Sequence, residues 1–291
     1  MKEGEGRTER GACSSSSAGR VADSKVKLLM GDGKPKVNPS ELKETIEKAG
    51  MSVGDRKADF GLVVGGDGRF GRYGRTESIP LLFVGVRSRR ATGSKAFMAA
   101  AYYDDLPAVL QEMGKGNYAV AEHKRLEVLK NGRQLGEVFT DVYLERGAES
   151  TCLRYRVTIE GQEGAFEDEA IGDGAVVTTA AGATGYYSYP DRISGGTMDP
   201  TAHSAVGEDQ IGICHVTPTF TRRAGTELHP LRYTLPWGTR VELTLFRKAD
   251  ARLYGTTDDR GGVKVTMKDR ITVLPGKRVT RLVSVPHSGV E

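Results

Sequence analysis

From Lys25 onward, short apolar runs alternate with amphipathic stretches. Val26, Leu28, Leu29 and Met30 predict a first strand. A helix follows, with Asn38 at its N-cap, Pro39 at the first helical position and Glu41 three residues beyond the cap, as in a capping box. Gly50 ends it, and Leu42, Ile46 and Ala49 share one of its faces. Phe60-Gly61-Leu62-Val63-Val64 reads as a buried strand running straight into Gly65-Gly66-Asp67-Gly68, and Pro80 to Val86 reads as another. Leu106, Val109, Leu110 and Met113 mark a second helix, stopped by Gly114. This order predicts an α/β domain with a parallel, Rossmann-like sheet over residues 24–120.

Past residue 120 the period changes from helical to alternating. Lys130-Asn131-Gly132-Arg133 carries the signal of a type I′ hairpin. Leu153, Tyr155, Val157 and Ile159 alternate with polar residues, as do Val241, Leu243 and Leu245. No convincing helix is expected between 120 and 275, so residues 121–274 read as an all-β, sandwich-like domain. The polar stretch 1–23, with four consecutive serines at 14–17, cannot bury enough to offset ordering and is expected to be a disordered tail.

Composition narrows the classes. Glycine contributes 38 of 291 residues, which points to loops that need its backbone freedom rather than to collagen or a coiled coil. A net charge of +4 is too mild to announce nucleic-acid binding but suits an anionic small substrate held in a local basic site. Cys13, Cys152 and Cys214 are odd in number and widely spaced, without zinc or Cys-x-x-Cys spacing, which favours a reducing compartment. Cys152 and Cys214 read as small buried hydrophobes. The longest apolar run, Leu81 to Val86, is far short of the ~20 residues of a membrane helix. The amino terminus has no apolar core of a secretion signal, so a soluble cytoplasmic protein is expected.

Two glycine-rich clusters could carry chemistry. Gly65 to Gly68 stands where an open α/β sheet places its ligands, at the carboxyl end of a strand. Glycines there let a phosphate approach backbone N–H groups, and Asp67 can take a proton from a hydroxyl or help hold a cation. A plain tight turn is the alternative. The second cluster runs from Asp173 to Tyr186, a short apolar strand leading into small and hydroxylated residues that admit a flat or phosphorylated ligand. A glycine- and alanine-rich turn packed for steric reasons is its alternative. Arg69, Arg72, Arg75, Arg87, Arg89 and Arg90 could line a polyanion site or form a solvated basic surface. His215, in the strand Ile211 to Val216, reads as a packed core residue, and Trp237 as a packing anchor.

Together these motifs resemble the NAD kinase family. That family shows G-G-D-G after a strand, an N-[DE] pair on a strand, D-G-x-x-x-[ST]-T-P-T-G-S-T-A-Y, and a later G-G. The chain presents Gly65 to Gly68, Thr140-Asp141, Asp173 through Tyr186, and Gly195-Gly196, in that order. The resemblance spans about residues 25 to 285 and implies that segment 275–291 returns to the first domain. It implies a kinase that phosphorylates the adenosine 2′-hydroxyl of NAD to give NADP. ATP or polyphosphate would be the donor, with Mg2+ or another divalent cation, in a homo-oligomer. Asp67 would be the general base. Gly66 and Gly68 would shape its loop, with Arg69 and Arg72 beside it. Thr140, Asp141, Asp173, Gly182, Thr184, Gly185, Tyr186 and Tyr187 would line the dinucleotide site.

Departures are also present. Arg69 stands where the family has Thr, Thr140 replaces Asn, and Ala180-Ala181-Gly182-Ala183 replaces P-T-G-S. Val86 to Arg90 is more basic than its family counterpart, and Asp258-Asp259-Arg260 replaces a D-G turn. A non-catalytic nucleotide sensor of this fold, or a kinase with another acceptor, are the alternatives these changes keep open.

Overall fold

The structure, a computed structural model, describes residues 23–31, 37–86, 96–162, 164–193, 206–256 and 261–286. The amino-terminal tail through residue 22, Arg87, Arg89, Arg90, Gly195-Gly196 and Asp258 to Arg260 lie outside the described residues.

The first half contains β1 (Lys25–Leu29), α1 (Pro39–Lys48), β2 (Ser52–Val53), β3 (Phe60–Gly65), α2 (Asp67–Thr76), β4 (Leu81–Gly85), β5 (Ala101–Tyr102) and α3 (Leu106–Gly114). Its strands pair in parallel, in the order β5, β4, β3, β1, β2. Strands β3 and β4 are apolar throughout because both faces of the sheet are covered. Leu42 and Ile46 of α1 and Leu106, Val109, Leu110 and Met113 of α3 pack on one face, with Leu62, Val64 and Leu82. Phe70 of α2 packs on the other, with Val63 and Phe83. The punctuation of α1 is as the sequence predicts. Asn38 Oδ1 accepts from Ser40 N at 3.0 Å, Asn38 Nδ2 donates to Glu41, and Gly50 takes φ +81°.

The second half continues with β6 (Ala119–Lys130), β7 (Arg133–Val138), β8 (Asp141–Arg146), β9 (Leu153–Gly161), β10 (Gly164–Gly172) and β11 (Gly174–Thr178). After α4 (Tyr189–Ile193) come β12 (Gln210–Val216), β13 (Phe220–Arg223), β14 (Arg232–Pro236), β15 (Arg240–Leu245), β16 (Ala251–Tyr254), β17 (Val263–Val265) and β18 (Arg270–Ser284). One sheet runs β14-β12-β11-β8-β16-β17; it faces the β13-β10-β9-β15-β18 part of the larger sheet. The predicted alternation holds: Leu153, Tyr155, Val157, Ile159, Val241, Leu243 and Leu245 point into the core between the sheets, opposite Val142, Leu144, Val177 and Ile213. Asn131 and Gly132 take φ of 53° and 79°, the two left-handed positions of a type I′ turn.

Strand β18 joins the halves. Its first part pairs with β15 and its last part runs beside β4, while β6 follows it along the other edge. The register slips between Pro275 and Val279, leaving Arg125 of β6 opposite a bulge. Among the described residues, no helix is long and apolar enough to cross a membrane.

Three expectations need correction. The segment after Gly66 is a helix, α2, rather than a loop; its glycines hide it for a packing reason given below. The stretch 120–275 contains short helical turns at Ala180–Gly182, Tyr186–Ser188 and α4. Cys152 is exposed, because it sits in the β8–β9 loop before the buried alternation begins, whereas Cys214 is buried.

Candidate functional site

The first component is the amino end of α2. Gly66 is extended at the cap, with φ −130° and ψ 178°, and its carbonyl accepts from Arg69 N at 2.9 Å and Phe70 N at 3.1 Å. Asp67 opens the helix, and its Oδ1 accepts from Met98 N at 3.1 Å, which fixes the carboxylate's orientation. A Cβ at Gly68 would meet nothing within 4 Å, so the backbone of the first turn is open to a ligand. Arg69 folds back over the sheet's carboxyl edge. Its Nη1 donates to Val64 O at 2.6 Å, and its guanidinium occupies the space that side chains at Gly31 and Gly65 would take. Arg72 is exposed on the helix, 5.8 Å from the Tyr73 ring.

The second component is the surface that α2 docks on. Gly71 and Gly74 face the turn after β7, where a Cβ at Gly74 would run into the Phe139 ring and one at Gly71 would lie 3.2 Å from Thr140 Oγ1. Phe70 stacks on Phe83 at 4.5 Å, and Phe83 meets Phe139 edge-on at 6.1 Å, so an aromatic column crosses from one half to the other. The far end of α2 is held by Arg125, only 2% exposed, which donates to the carbonyls of Arg75 and Glu77 at 2.9 Å each and to Thr280 Oγ1 at 2.8 Å. Thr280 in turn donates to Gly74 O at 2.6 Å. A cation on the last carbonyls suits the helix dipole, and these bonds offset the cost of burying the guanidinium.

The third component is the loop after β11. Thr140 O accepts from Thr179 N at 2.8 Å, Thr179 Oγ1 at 3.1 Å and Thr178 Oγ1 at 3.2 Å. The turn beyond comes so close that a Cβ at Gly182 would lie 2.6 Å from Thr140 O, and one at Gly185 would lie 3.5 Å from Asp141 Oδ2. Glycine at 182 is therefore a condition of the close approach. Thr140 Oγ1 donates to Asp141 Oδ1 at 3.0 Å. Burial pushes the Asp141 carboxyl up to about 6, with the Thr140 hydroxyl acting against the rise.

Gly66, Asp67, Gly68 and Arg69 thus stand at the amino end of a helix that rests on Phe139-Thr140, and the turn that holds Gly182, Thr184, Gly185 and Tyr186 comes against Thr140 through Gly182 and against Asp141 through Gly185. Two predicted residues fall elsewhere. Asp173 sits at the opposite end of β11, paired with Arg146 Nε at 2.9 Å and accepting from Thr217 Oγ1 at 2.5 Å; the strand's length separates it from the loop it precedes. Tyr187 is 1% exposed and packs with Val176, Ala183 and Cys214, with Arg232 over its ring. It is a core residue, pointing away from its exposed neighbour Tyr186.

Tyr143, Glu145, Met98 and Arg125 are absent from the sequence-based site. For Tyr143 a signal exists: Val142 and Leu144 are the inward positions of β8, so Asp141, Tyr143 and Glu145 share its outer face.

The NAD kinase of Magnetococcus marinus is 28% identical over 237 residues, covering 78% of this chain and 69% of that protein. In sequence the chain is similar to NAD kinases, at 22–30% identity. Two solved NAD kinase-family structures share its fold, each at 15% identity. A yeast NADH kinase complexed with NADH superposes with a TM-score of 0.63, over 92% of this chain and 86% of its own. An NAD kinase from Archaeoglobus fulgidus in complex with ATP gives 0.61, over 89% and 92%. No family model matches the sequence. The chain spans between about half and two thirds of the length of the first curated NAD kinases it matches.

Proposed function

We propose that the protein transfers a phosphoryl group from ATP or polyphosphate to the adenosine 2′-hydroxyl of NAD, giving NADP. The observation that carries this reading is the docking of α2 through Gly71 and Gly74 onto Phe139-Thr140. It sets the helix that opens with Asp67 on Thr140, the same residue that the loop Gly182–Tyr186 approaches through Gly182.

Each group has a physical task. Asp67, oriented by Met98 N–H, accepts the proton of the attacking hydroxyl. The open first turn of α2 and the guanidinium of Arg69 bind the donor's phosphates, since backbone N–H groups and a fixed cation both favour anionic oxygens. Asp141 accepts hydrogen bonds from ribose hydroxyls. Transfer of this kind depends mainly on positioning and on neutralising charge. Among the described residues, no three His, Cys, Asp or Glu side chains gather as a metal cage. A cation such as Mg2+ would arrive on the donor's phosphates and be held by their oxygens, leaving the Asp67 carboxylate to the hydroxyl. When bound, that cation would neutralise charge on the transferred group.

The test is incubation with NAD, magnesium and either ATP or polyphosphate, with NADP measured by an NADP-specific dehydrogenase. Wild type should form NADP, and Asp67→Asn should lose about 10²-fold or more in turnover at unchanged thermal stability. Turnover like wild type in that variant would sink the assignment of the base. No NADP from either donor, with NAD still bound in calorimetry, would leave a nucleotide-binding protein without kinase activity.

A further inference from the structure

We propose that Tyr143, Tyr186 and Tyr254, flanked by Asp141 and Glu145, seat the nicotinamide ring and select its oxidised, cationic form over the neutral reduced one. This rests on the NAD kinase reading above and asks which dinucleotide the site prefers.

The three rings come from separate elements. Tyr143 on β8 is in register with Tyr254 on β16, and their rings stack at 5.2 Å with 21° between planes. Tyr186, from the loop after β11, tilts against Tyr143 at 5.2 Å and leaves 49% of its surface exposed. Gly262 makes room for Tyr254: it holds φ +65°, and a Cβ there would come 2.7 Å from the ring. A row of electron-rich rings ending in a half-open one is a surface for a planar ligand, and a cation gains more from it than a neutral ring does.

The carboxylates strengthen that preference. Asp141 and Glu145 stand on either side of Tyr143 along the outer face of β8. Burial and both carboxylates push the Tyr143 and Tyr186 phenols up, so these groups share one electrostatic environment. The cations beside it are engaged elsewhere: Arg146 pairs with Asp173 at 2.9 Å, and Arg252, opposite Glu145 on β16, pairs with Asp250 at 3.2 Å and donates to Gly261 O at 3.4 Å. The site is therefore polarised. Arg69 and the α2 amino end favour anionic phosphates, and the far end, beyond Asp141, favours a positive ring. Oxidised NAD has that distribution of charge, and the reduced form lacks the positive end.

The experiment compares kcat/KM for NAD and NADH in wild type, Glu145→Gln, Tyr254→Leu and Tyr254→Phe. Wild type should favour NAD by about tenfold or more, the scale of one cation over aromatic faces plus a nearby charge. Glu145→Gln and Tyr254→Leu should each shrink that ratio by roughly threefold, and Tyr254→Phe, which keeps the ring, should preserve it. Active variants whose ratio equals that of wild type would overturn this proposal alone. A wild-type protein that phosphorylates neither dinucleotide would overturn the kinase reading, and this proposal with it.

Discussion

Helix α1 carries its own instructions. Asn38 caps it, Pro39 opens it, Glu41 reaches the cap and Gly50 closes it, and Leu42 and Ile46 supply the buried face. Helix α2 is also ten residues long, yet it has no side-chain cap bond and holds glycine at 68, 71 and 74. Each interior glycine costs a helix about 1 kcal/mol relative to alanine. What holds α2 is tertiary: Phe70 on Phe83, Gly71 and Gly74 against Thr140 and Phe139, and Arg125 on its last carbonyls. The helix that bears Asp67 is thus specified by the half of the chain it must meet, and α1 by its own sequence. Placing the candidate base on a helix that is stable only when docked ties the site to the assembly of both halves.

The docking of α2 is most sensitive at Gly74. A methyl group there would collide with the Phe139 ring, so Gly74→Ala must move either the ring or the helix. Overpacking of this kind costs about 1–3 kcal/mol, against a gain near 1 kcal/mol from helix propensity. Thermal unfolding should show a net loss of several degrees, and turnover should fall because Asp67 moves with its helix. A variant with wild-type unfolding temperature and turnover would mean that the close packing of α2 is not what positions the site.

The same contrast governs what the sequence made legible. The parallel sheet, α1, α3 and the alternating strands followed from local period and punctuation. Helix α2 did not, because its glycines lower local propensity and their purpose lies on Phe139 and Thr140, some 65 residues away in the chain. The repeat Gly68-Arg69-Phe70, Gly71-Arg72-Tyr73, Gly74-Arg75-Thr76 has a three-residue period, which puts Gly71 and Gly74 against one docking surface. Within the site, adjacency along the chain misled twice. Asp173 is separated from its loop by the length of β11, and Tyr187 points opposite to Tyr186. Tyr143 and Glu145 were reachable through the period of two that passes through Asp141.

A smaller effect belongs to Asp141, the neighbour of the Thr140 on which α2 lands. Asp141 has its carboxyl raised by burial to about 6 in the folded protein, above its ordinary value of 3.8. The folded state therefore holds a proton that the unfolded chain releases between those values. Stability from this source is complete below about 4 and is lost as pH rises through about 6. Asp141→Asn removes the penalty, so the variant should gain roughly 2–4 °C on wild type in going from pH 4 to pH 7.5. A difference between the two proteins that stays flat across that range would show that Asp141 ionises without cost in the fold.

The smallest expected effects have opposite signs in the two helices. Asn38→Ala removes the bond to Ser40 N and should cost about 1 kcal/mol of stability while leaving turnover alone, since α1 packs on the face of the sheet away from α2. Gly68→Ala meets open space and an ordinary helical backbone, so it should stabilise the protein by about 0.5 kcal/mol. The same methyl would stand where a phosphate approaches the first turn, so turnover should fall several-fold even as stability rises. Paired thermal unfolding and NADP assays decide the matter. If Gly68→Ala were both more stable and fully active, the openness at the amino end of α2 would serve no ligand, and the glycines at 71 and 74 would remain explained by packing alone.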